Sequence, residues 1–192
     1  WEEGQKTGFF LDQRENRELV GKYAKGKRVL NLFCYTGGFS IYALANGAIS
    51  VDSVDSSAKA MAMVDRNVAV NKLDLSRHTS LCCDAIEFLK NSPEDKYDLM
   101  IVDPPAFAKH RGSLDNALRA YQKLNAAAIS KVANGGLIFT YSCSQVVDKN
   151  AFALAIFSLS PILFPPYFHS FRSTNFPVLS ISLLQLLSLS DN

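Results

Sequence analysis

Cys143 stands in Ser142-Cys143-Ser144, and Asp103 opens Asp103-Pro104-Pro105. Each follows directly on a short apolar run. A thiolate is a strong nucleophile, and a free thiol has a pKa of about 8.5, so a nearby positive field would help to ionise it. Added to carbon-6 of a pyrimidine, such a thiolate makes carbon-5 enamine-like and able to accept a methyl group. A base then removes the carbon-5 proton and the enzyme is eliminated. That chemistry also needs an acid at N3 of the ring, and Asp103 has the type and the setting for it. The bland alternative for Cys143 is a small buried hydrophobe. Cys82 and Cys83, within or beside an apolar run, read as core, and Cys34 reads as packing.

A second constellation points to a nucleoside. Residues 28–33 are an apolar run ending in Phe33-Cys34-Tyr35-Thr36-Gly37-Gly38. A strand that feeds a helix through glycines brings backbone N–H groups to the mouth of a cleft. The third glycine of G-x-G-x-x-G is missing, so a dinucleotide pyrophosphate is not the expected ligand. Asp55, 24 residues after Asn31, is placed to take two ribose hydroxyls. Asp84 is placed to accept from an adenine amino group, or else to cap a helix. Adenosine with a charged amino-acid end is S-adenosylmethionine, and Gln13 and Arg14 are available to its carboxylate and ammonium.

The elements that must position these residues alternate. Strands are expected over 28–33, 49–54, 79–82, 97–102 and 137–141. Helices are expected over 40–46, from a cap at Ser56, from 85 to 89, and over 116–132 with Gly135-Gly136 as its stop. Ala60, Met61, Val64 and Val68 form one helical stripe. Ala117, Tyr121, Leu124, Ala128 and Val132 form another. Asp12, with Glu15 three residues on, is a candidate cap for a further helix. Alternation of this kind predicts an α/β fold with a doubly wound, mostly parallel sheet, in which ligands bind at the carboxyl ends of the strands. Asn31, Asp55, Asp84, Asp103 and Cys143 all fall at such ends.

The 192 residues carry a net charge of +2, too little to announce a nucleic-acid partner by itself. The four cysteines have no metal-ligand spacing, so no metal is expected, and reduced thiols indicate the cytoplasm. From 151 to 192 the charged residues are Arg172 and Asp191 alone. We therefore expect one domain over 1–150 and an atypical apolar tail, aberrant or aggregation-prone, over 151–192. The apolar run 181–189 is too short to span a bilayer.

Four ordered motifs resemble the bacterial 23S rRNA cytosine-5 methyltransferases of the large-subunit type I group. They are residues 6–14, residues 31–40, Asp103-Pro104-Pro105-Ala106-Phe107 and Ser142-Cys143-Ser144. The resemblance covers about residues 4–150. It implies a Rossmann-like class I methyltransferase fold, S-adenosylmethionine as donor, and 23S rRNA or its large-subunit precursor as substrate. It also makes Asp12, Gln13 and Arg14 a cofactor-site element. The cofactor set then comprises Asp12, Gln13, Arg14, Asn31, Phe33, Tyr35, Thr36, Gly37, Asp55, Ser56, Asp84, Ala85 and Asp103. Pro104, Pro105 and Phe107 would meet the base, and Cys143 and Asp103 would be catalytic. Such relatives carry an RNA-binding PUA-like domain and a linking domain before the motif at Lys6, so the chain is expected to be a fragment without them. The relatives also finish the sheet with an antiparallel hairpin, which the tail does not resemble. Two other readings stay open. One is a methyltransferase acting on a guanine nitrogen, which would carry an amide-containing segment in place of Ser142-Cys143-Ser144. The other is an inactive fragment that binds only nucleoside or RNA.

Overall fold

The computed structural model describes residues 13–158 and 179–183. Six strands form one sheet in the order β3-β2-β1-β4-β5-β6. They are β1 (Arg28–Leu32), β2 (Ser50–Asp55), β3 (His78–Cys82), β4 (Tyr97–Val102), β5 (Val132–Ser142) and β6 (Leu179–Leu183). The first five run parallel and β6 runs antiparallel to β5. The helices are α1 (Arg14–Ala24), α2 (Gly38–Ala45), α3 (Ala58–Val70), α4 (Ala85–Asn91), α5 (Leu114–Ile129) and α6 (Lys149–Phe157). This is the expected doubly wound α/β architecture.

The central strands are buried on both faces, which explains their near-continuous apolar runs. Val29, Leu99, Ile101, Phe139 and Tyr141 pack with the buried faces of α1, α2 and α3. Leu30, Leu32, Met100, Val102 and Ile138 pack on the other side with Leu89 of α4 and Leu124 and Ala128 of α5. The α3 stripe is buried as its spacing requires. Its cap is Ser57 rather than Ser56: the Ser57 hydroxyl accepts from Ala60 N at 3.2 Å.

Two expectations about the second half are corrected. The α5 helix ends at Ile129, so Val132 belongs to β5, and Gly135-Gly136 lie inside that strand instead of stopping a helix. Register along β4 and β5 pairs Tyr97 with Val132 but Leu99 with Leu137, so three extra residues bulge out of β5. Gly135 takes φ +74° there. A Cβ on Gly136 would lie 2.6 Å from Val132 Cγ2. The glycines therefore serve a bulge.

The boundary drawn between residues 150 and 151 falls inside α6. Asp148 caps this helix by accepting from the Asn150 and Ala151 amides. Phe152, Ala153 and Ile156 are buried against Ala117 and Tyr121 of α5, with the Phe152 ring edge-on to Tyr121 at 5.1 Å. Beyond it, β6 pairs Thr140 with Ile181, an antiparallel edge where no strand was expected. Phe164-Pro165-Pro166-Tyr167 and residues 184–189 of the tail lie outside the described residues.

A buried polar chain crosses the sheet beneath α2. Asn31 Nδ2 donates to Ser40 Oγ (2.8 Å), which bonds Ser53 Oγ (2.7 Å), which in turn bonds His78 Nε2 (2.8 Å). Burial holds the His78 imidazole below its ordinary pKa of 6.5, against the opposing pull of Asp65 and Asp52. The unfolded chain therefore takes up this proton at a higher pH than the folded one. The stability tied to neutral His78 is complete above about pH 6.5 and is lost as the pH falls toward the folded value. We expect urea midpoints to drop between about pH 7 and pH 5, and His78→Gln to flatten that part of the slope. A slope unchanged by the substitution contradicts this.

Phe152→Ala is expected to cost about 3–5 kcal/mol in urea unfolding. A loss under about 0.5 kcal/mol would show that residues beyond 150 stand outside the cooperative fold.

Candidate active site

Strand order reverses between β1 and β4, with β2 and β3 on one side and β5 on the other. In open sheets of this kind that switch point is where a crevice opens at the carboxyl ends. The loop after β1 is strained there. Phe33 and Tyr35 take φ +58° and +47°, and Gly37 takes φ +79° as the N-cap of α2. Each non-glycine residue in this region costs on the order of 1–3 kcal/mol and needs outside support. The support is on hand: Cys34 N donates to Val54 O (3.1 Å), Gly37 N to Cys34 O (2.8 Å), and Asn67 Nδ2 to Thr36 O (2.9 Å). Gly37 also sits against α3, where a Cβ would fall 2.8 Å from Val64 Cγ1.

Asp55 closes β2 and faces this loop. Its Oδ2 accepts from Tyr35 N (3.0 Å) and its Oδ1 from Ser57 N (3.0 Å). Both bonds fix the carboxylate plane while leaving each oxygen a lone pair, the arrangement that two ribose hydroxyls require. At the next strand end Asp84 caps α4: its Oδ1 accepts from Ile86 N (2.9 Å) and Glu87 N (2.8 Å). Its Oδ2 has no partner among the described residues and remains able to accept from an amino group. Ala85 follows it, buried in the first turn of α4. Cys83 N donates to Asp55 O at 3.1 Å and ties the two strand ends together. The Ser56 side borders the same edge, its carbonyl receiving the Cys82 thiol at 3.7 Å.

The structure places other expected residues differently. Asn31 is fully buried under the loop, with its Oδ1 unpartnered among the described residues. It is a strut rather than a surface of the cleft. Gln13 is buried and accepts from Asn16 Nδ2 at 2.7 Å. Arg14 is exposed and pairs with Glu18 at 3.2 Å, while Arg17, one turn on, is the buried arginine, 5.8 Å from the Tyr42 ring centre. Asp12 lies outside the described residues.

The residues expected to react are brought together by β4 and β5, which are adjacent. Val102 pairs with Thr140, so Asp103 and Tyr141 follow side by side. Tyr141 is fully buried and its ring stacks on Phe39 at 5.2 Å. Burial and then the Asp103 charge push its phenol well above the ordinary pKa. Cys143 is exposed, and its Sγ lies 3.6 Å from Pro104 O. The nucleophile candidate therefore touches the D-P-P turn itself. Cys34 is different: burial, helped by Asp55, raises its pKa and keeps its thiol protonated. Cys82, expected in the core, is exposed because β3 is the edge of the sheet. Cys83 is half-buried.

The sequence marks Tyr121 only as a helix-stripe residue and Ser144 only as a neighbour of Cys143, with no link between them. Ser144 Oγ bonds Tyr121 OH (2.8 Å) and accepts from Ala108 N (3.2 Å), clasping the D-P-P loop, α5 and the cysteine loop at one point. Phe107, expected to meet the base, lies against Tyr121 with ring centres 4.7 Å apart. Pro104 is buried and Pro105 exposed. A buried tyrosine hydroxyl needs a partner. That was the available signal, but no sequence spacing names the partner.

A family model described as S-adenosylmethionine-dependent methyltransferase matches residues 2–148. Ribosomal RNA large subunit methyltransferase I of Aeromonas hydrophila is 44% identical over 151 residues, covering 78% of this chain and 38% of that protein. Ribosomal RNA large subunit methyltransferase of Deinococcus radiodurans is 44% identical over 159 residues, covering 81% and 39%. The chain thus spans about two fifths of the length of these curated relatives. Among solved structures, a putative methyltransferase from Streptococcus mutans is 31% identical with TM-score 0.67, covering 77% of this chain and 39% of that one. A putative methyltransferase complexed with S-adenosylhomocysteine is 27% identical with TM-score 0.72, covering 91% and 50%.

Gly37→Ala places a Cβ both at positive φ and against Val64. We expect a stability loss of at least about 1 kcal/mol and a clear drop in S-adenosylhomocysteine affinity by calorimetry. Wild-type affinity in a folded variant would show that the loop does not line the cofactor cleft.

Proposed function

The chain belongs to the S-adenosylmethionine-dependent methyltransferase family, and on that premise we propose that it methylates carbon-5 of a cytosine in 23S rRNA or its large-subunit precursor. The observation that carries this reading is the exposed Cys143 thiol, 3.6 Å from Pro104 O and just beyond Asp103. The residues present fit the cofactor. Asp55 offers an oriented carboxylate to the ribose, Asp84 an acceptor to the adenine amino group, and Gly37 a close backbone approach. Gln13, at the buried start of α1, is the described candidate for its amino-acid end. When bound, S-adenosylmethionine supplies the electrophilic methyl group to carbon-5.

The chain's own residues do the rest. The Cys143 proton leaves to water at the exposed thiol, and Sγ bonds carbon-6. The electron pair of the carbon-5–carbon-6 double bond moves into the ring. Asp103, protonated in the reacting complex, donates to N3 as that charge develops and takes the proton back when the double bond re-forms. After methylation a base removes the carbon-5 proton, the double bond re-forms, and the Sγ–carbon-6 bond breaks to release the thiolate. The clasp through Ser144 keeps Cys143 against the D-P-P turn throughout. The ribosomal RNA named for the relatives supports an RNA substrate, and four cysteines outside any disulfide suit the reducing cytoplasm. Among the described residues no helix is long and apolar enough to cross a membrane.

Tritiated methyl transfer to large-subunit rRNA, with the product base identified by mass spectrometry, is expected to yield 5-methylcytosine. Cys143→Ala is expected to lower it by at least about 10³-fold while S-adenosylhomocysteine still binds. Methylation at a guanine nitrogen, or undiminished 5-methylcytosine from the variant, contradicts the reading.

A further inference from the structure

Phosphate-contacting cations are expected on a chain that acts on RNA. The sequence offers Lys22, Lys25, Lys27 and Arg28 as a basic face. The fold puts the end of that run at the wrong edge. Arg28 opens β1, at the amino end of the parallel strands, away from Cys143 and the crevice. Its guanidinium is already forked onto Asp98 (2.7 and 2.9 Å) and Asp95 O (3.1 Å).

A different set stands at the carboxyl edge. Lys109, His110 and Arg111 follow the D-P-P loop directly, and Arg119 and Lys123 follow on α5. All five are exposed. The four cations have no hydrogen-bond or ion-pair partner for their side chains among the described residues, whereas Arg28, Arg77 and Lys96 are each paired with an aspartate. Residues 105–125 hold these four cations and one carboxylate, Asp115, a surplus of three. The whole chain has a net charge of +2, so everything outside this stretch sums to −1. Residues 22–28 hold a surplus of the same order, but at the opposite edge, so residues 105–125 are the basic segment that follows the D-P-P loop.

That segment is also held beside the nucleophile. Ala108 N donates to Ser144 Oγ at 3.2 Å, so Lys109 leaves the surface one residue from a bond to Cys143's neighbour. The turn is fixed by Ser113, whose N–H and hydroxyl both donate to His110 O (3.1 and 2.8 Å). Tyr121 OH, bonded to Ser144 Oγ at 2.8 Å, pins the inner face of α5 to the same point. Arg119 and Lys123 are four residues apart, on one side of the helix and about 6 Å from each other along its axis.

We propose that Lys109, His110, Arg111, Arg119 and Lys123 form the track for the phosphate backbone of the RNA strand that presents its base to Cys143. The proposal rests on the reading that the substrate is RNA, and it adds where the strand lies. Backbone contacts of this kind position the strand and carry no base preference. They contribute to affinity through counterion release, about 0.7 of a unit in the slope of log K against log salt for each phosphate neutralised on a single strand.

The test is fluorescence anisotropy of the chain with a labelled single-stranded RNA of about 20 nucleotides, titrated at several salt concentrations. For Lys109→Gln/Arg111→Gln/Arg119→Gln we expect binding at least about tenfold weaker and a salt slope shallower by about 2. Affinity for S-adenosylhomocysteine should be unchanged, which also shows that the variant is folded. Lys22→Gln/Lys25→Gln/Lys27→Gln, the matched control at the opposite edge, should bind RNA as the original chain does. Equal weakening by both triple variants, no weakening by the first, or no RNA binding by the original chain overturns the track. Retained RNA binding with methylation at a guanine nitrogen strikes the cytosine reading and leaves the track in place.

Discussion

The Asp55 carboxylate joins the two loops that would line the proposed cofactor cleft. One oxygen holds the Tyr35 amide in the loop after β1, and the other holds the Ser57 amide at the start of α3. Without that tie, the positive φ of Tyr35 would lose a support that adds to the Cys34–Val54 and Asn67–Thr36 bonds. The tie works because β1 and β2 are parallel neighbours in register, Leu32 beside Val54, so their carboxyl ends arrive together. The buried Asn31–Ser40–Ser53–His78 chain lies beneath it and fixes α2 against both strands. The position that Asp55 offers to a cofactor is thus a consequence of strand register.

The second half of the site repeats the principle with different bonds. There β4 and β5 end side by side, and the Ser144 hydroxyl gathers the D-P-P loop, α5 and the cysteine loop. Tyr121 transmits this clasp into a small apolar cluster with Phe152 of α6. Residues beyond 150 thereby support the loop that carries Cys143, the proposed nucleophile. The same clasp sets the start of the exposed basic segment at Lys109, which joins the chemistry to the surface where an RNA strand would lie.

Strands β1 and β4 were legible as apolar runs closed by a polar residue or a turn, and β2 as valines interspersed with polar residues, while β3 is only a short stretch before Asp84. Asp55, Asp84, Asp103 and Cys143 were legible for the same reason, since chain order puts them at strand ends. The α5–β5 boundary was not legible: Gly135-Gly136 reads as a helix stop, and only pairing with β4 reveals a bulge. Helix α6 was hidden because Ala151, Phe152, Ala153, Leu154 and Ile156 are apolar almost all round, so no amphipathic period marks it. Arg14 and Arg17 both lie in α1, and spacing alone does not say which is buried. The clasp of Ser144 with Tyr121 joins positions 23 residues apart and exists only in three dimensions.

The central claim is that Cys143 forms a covalent bond to a cytosine held at this edge. An RNA carrying 5-fluorocytosine tests it most directly, because fluorine replaces the proton that must leave before the thiolate can. Incubation with S-adenosylmethionine, followed by digestion and mass spectrometry, should show a methylated nucleotide adduct on the peptide containing Cys143. Turnover without any adduct, or an adduct on Cys82 instead, would contradict the account.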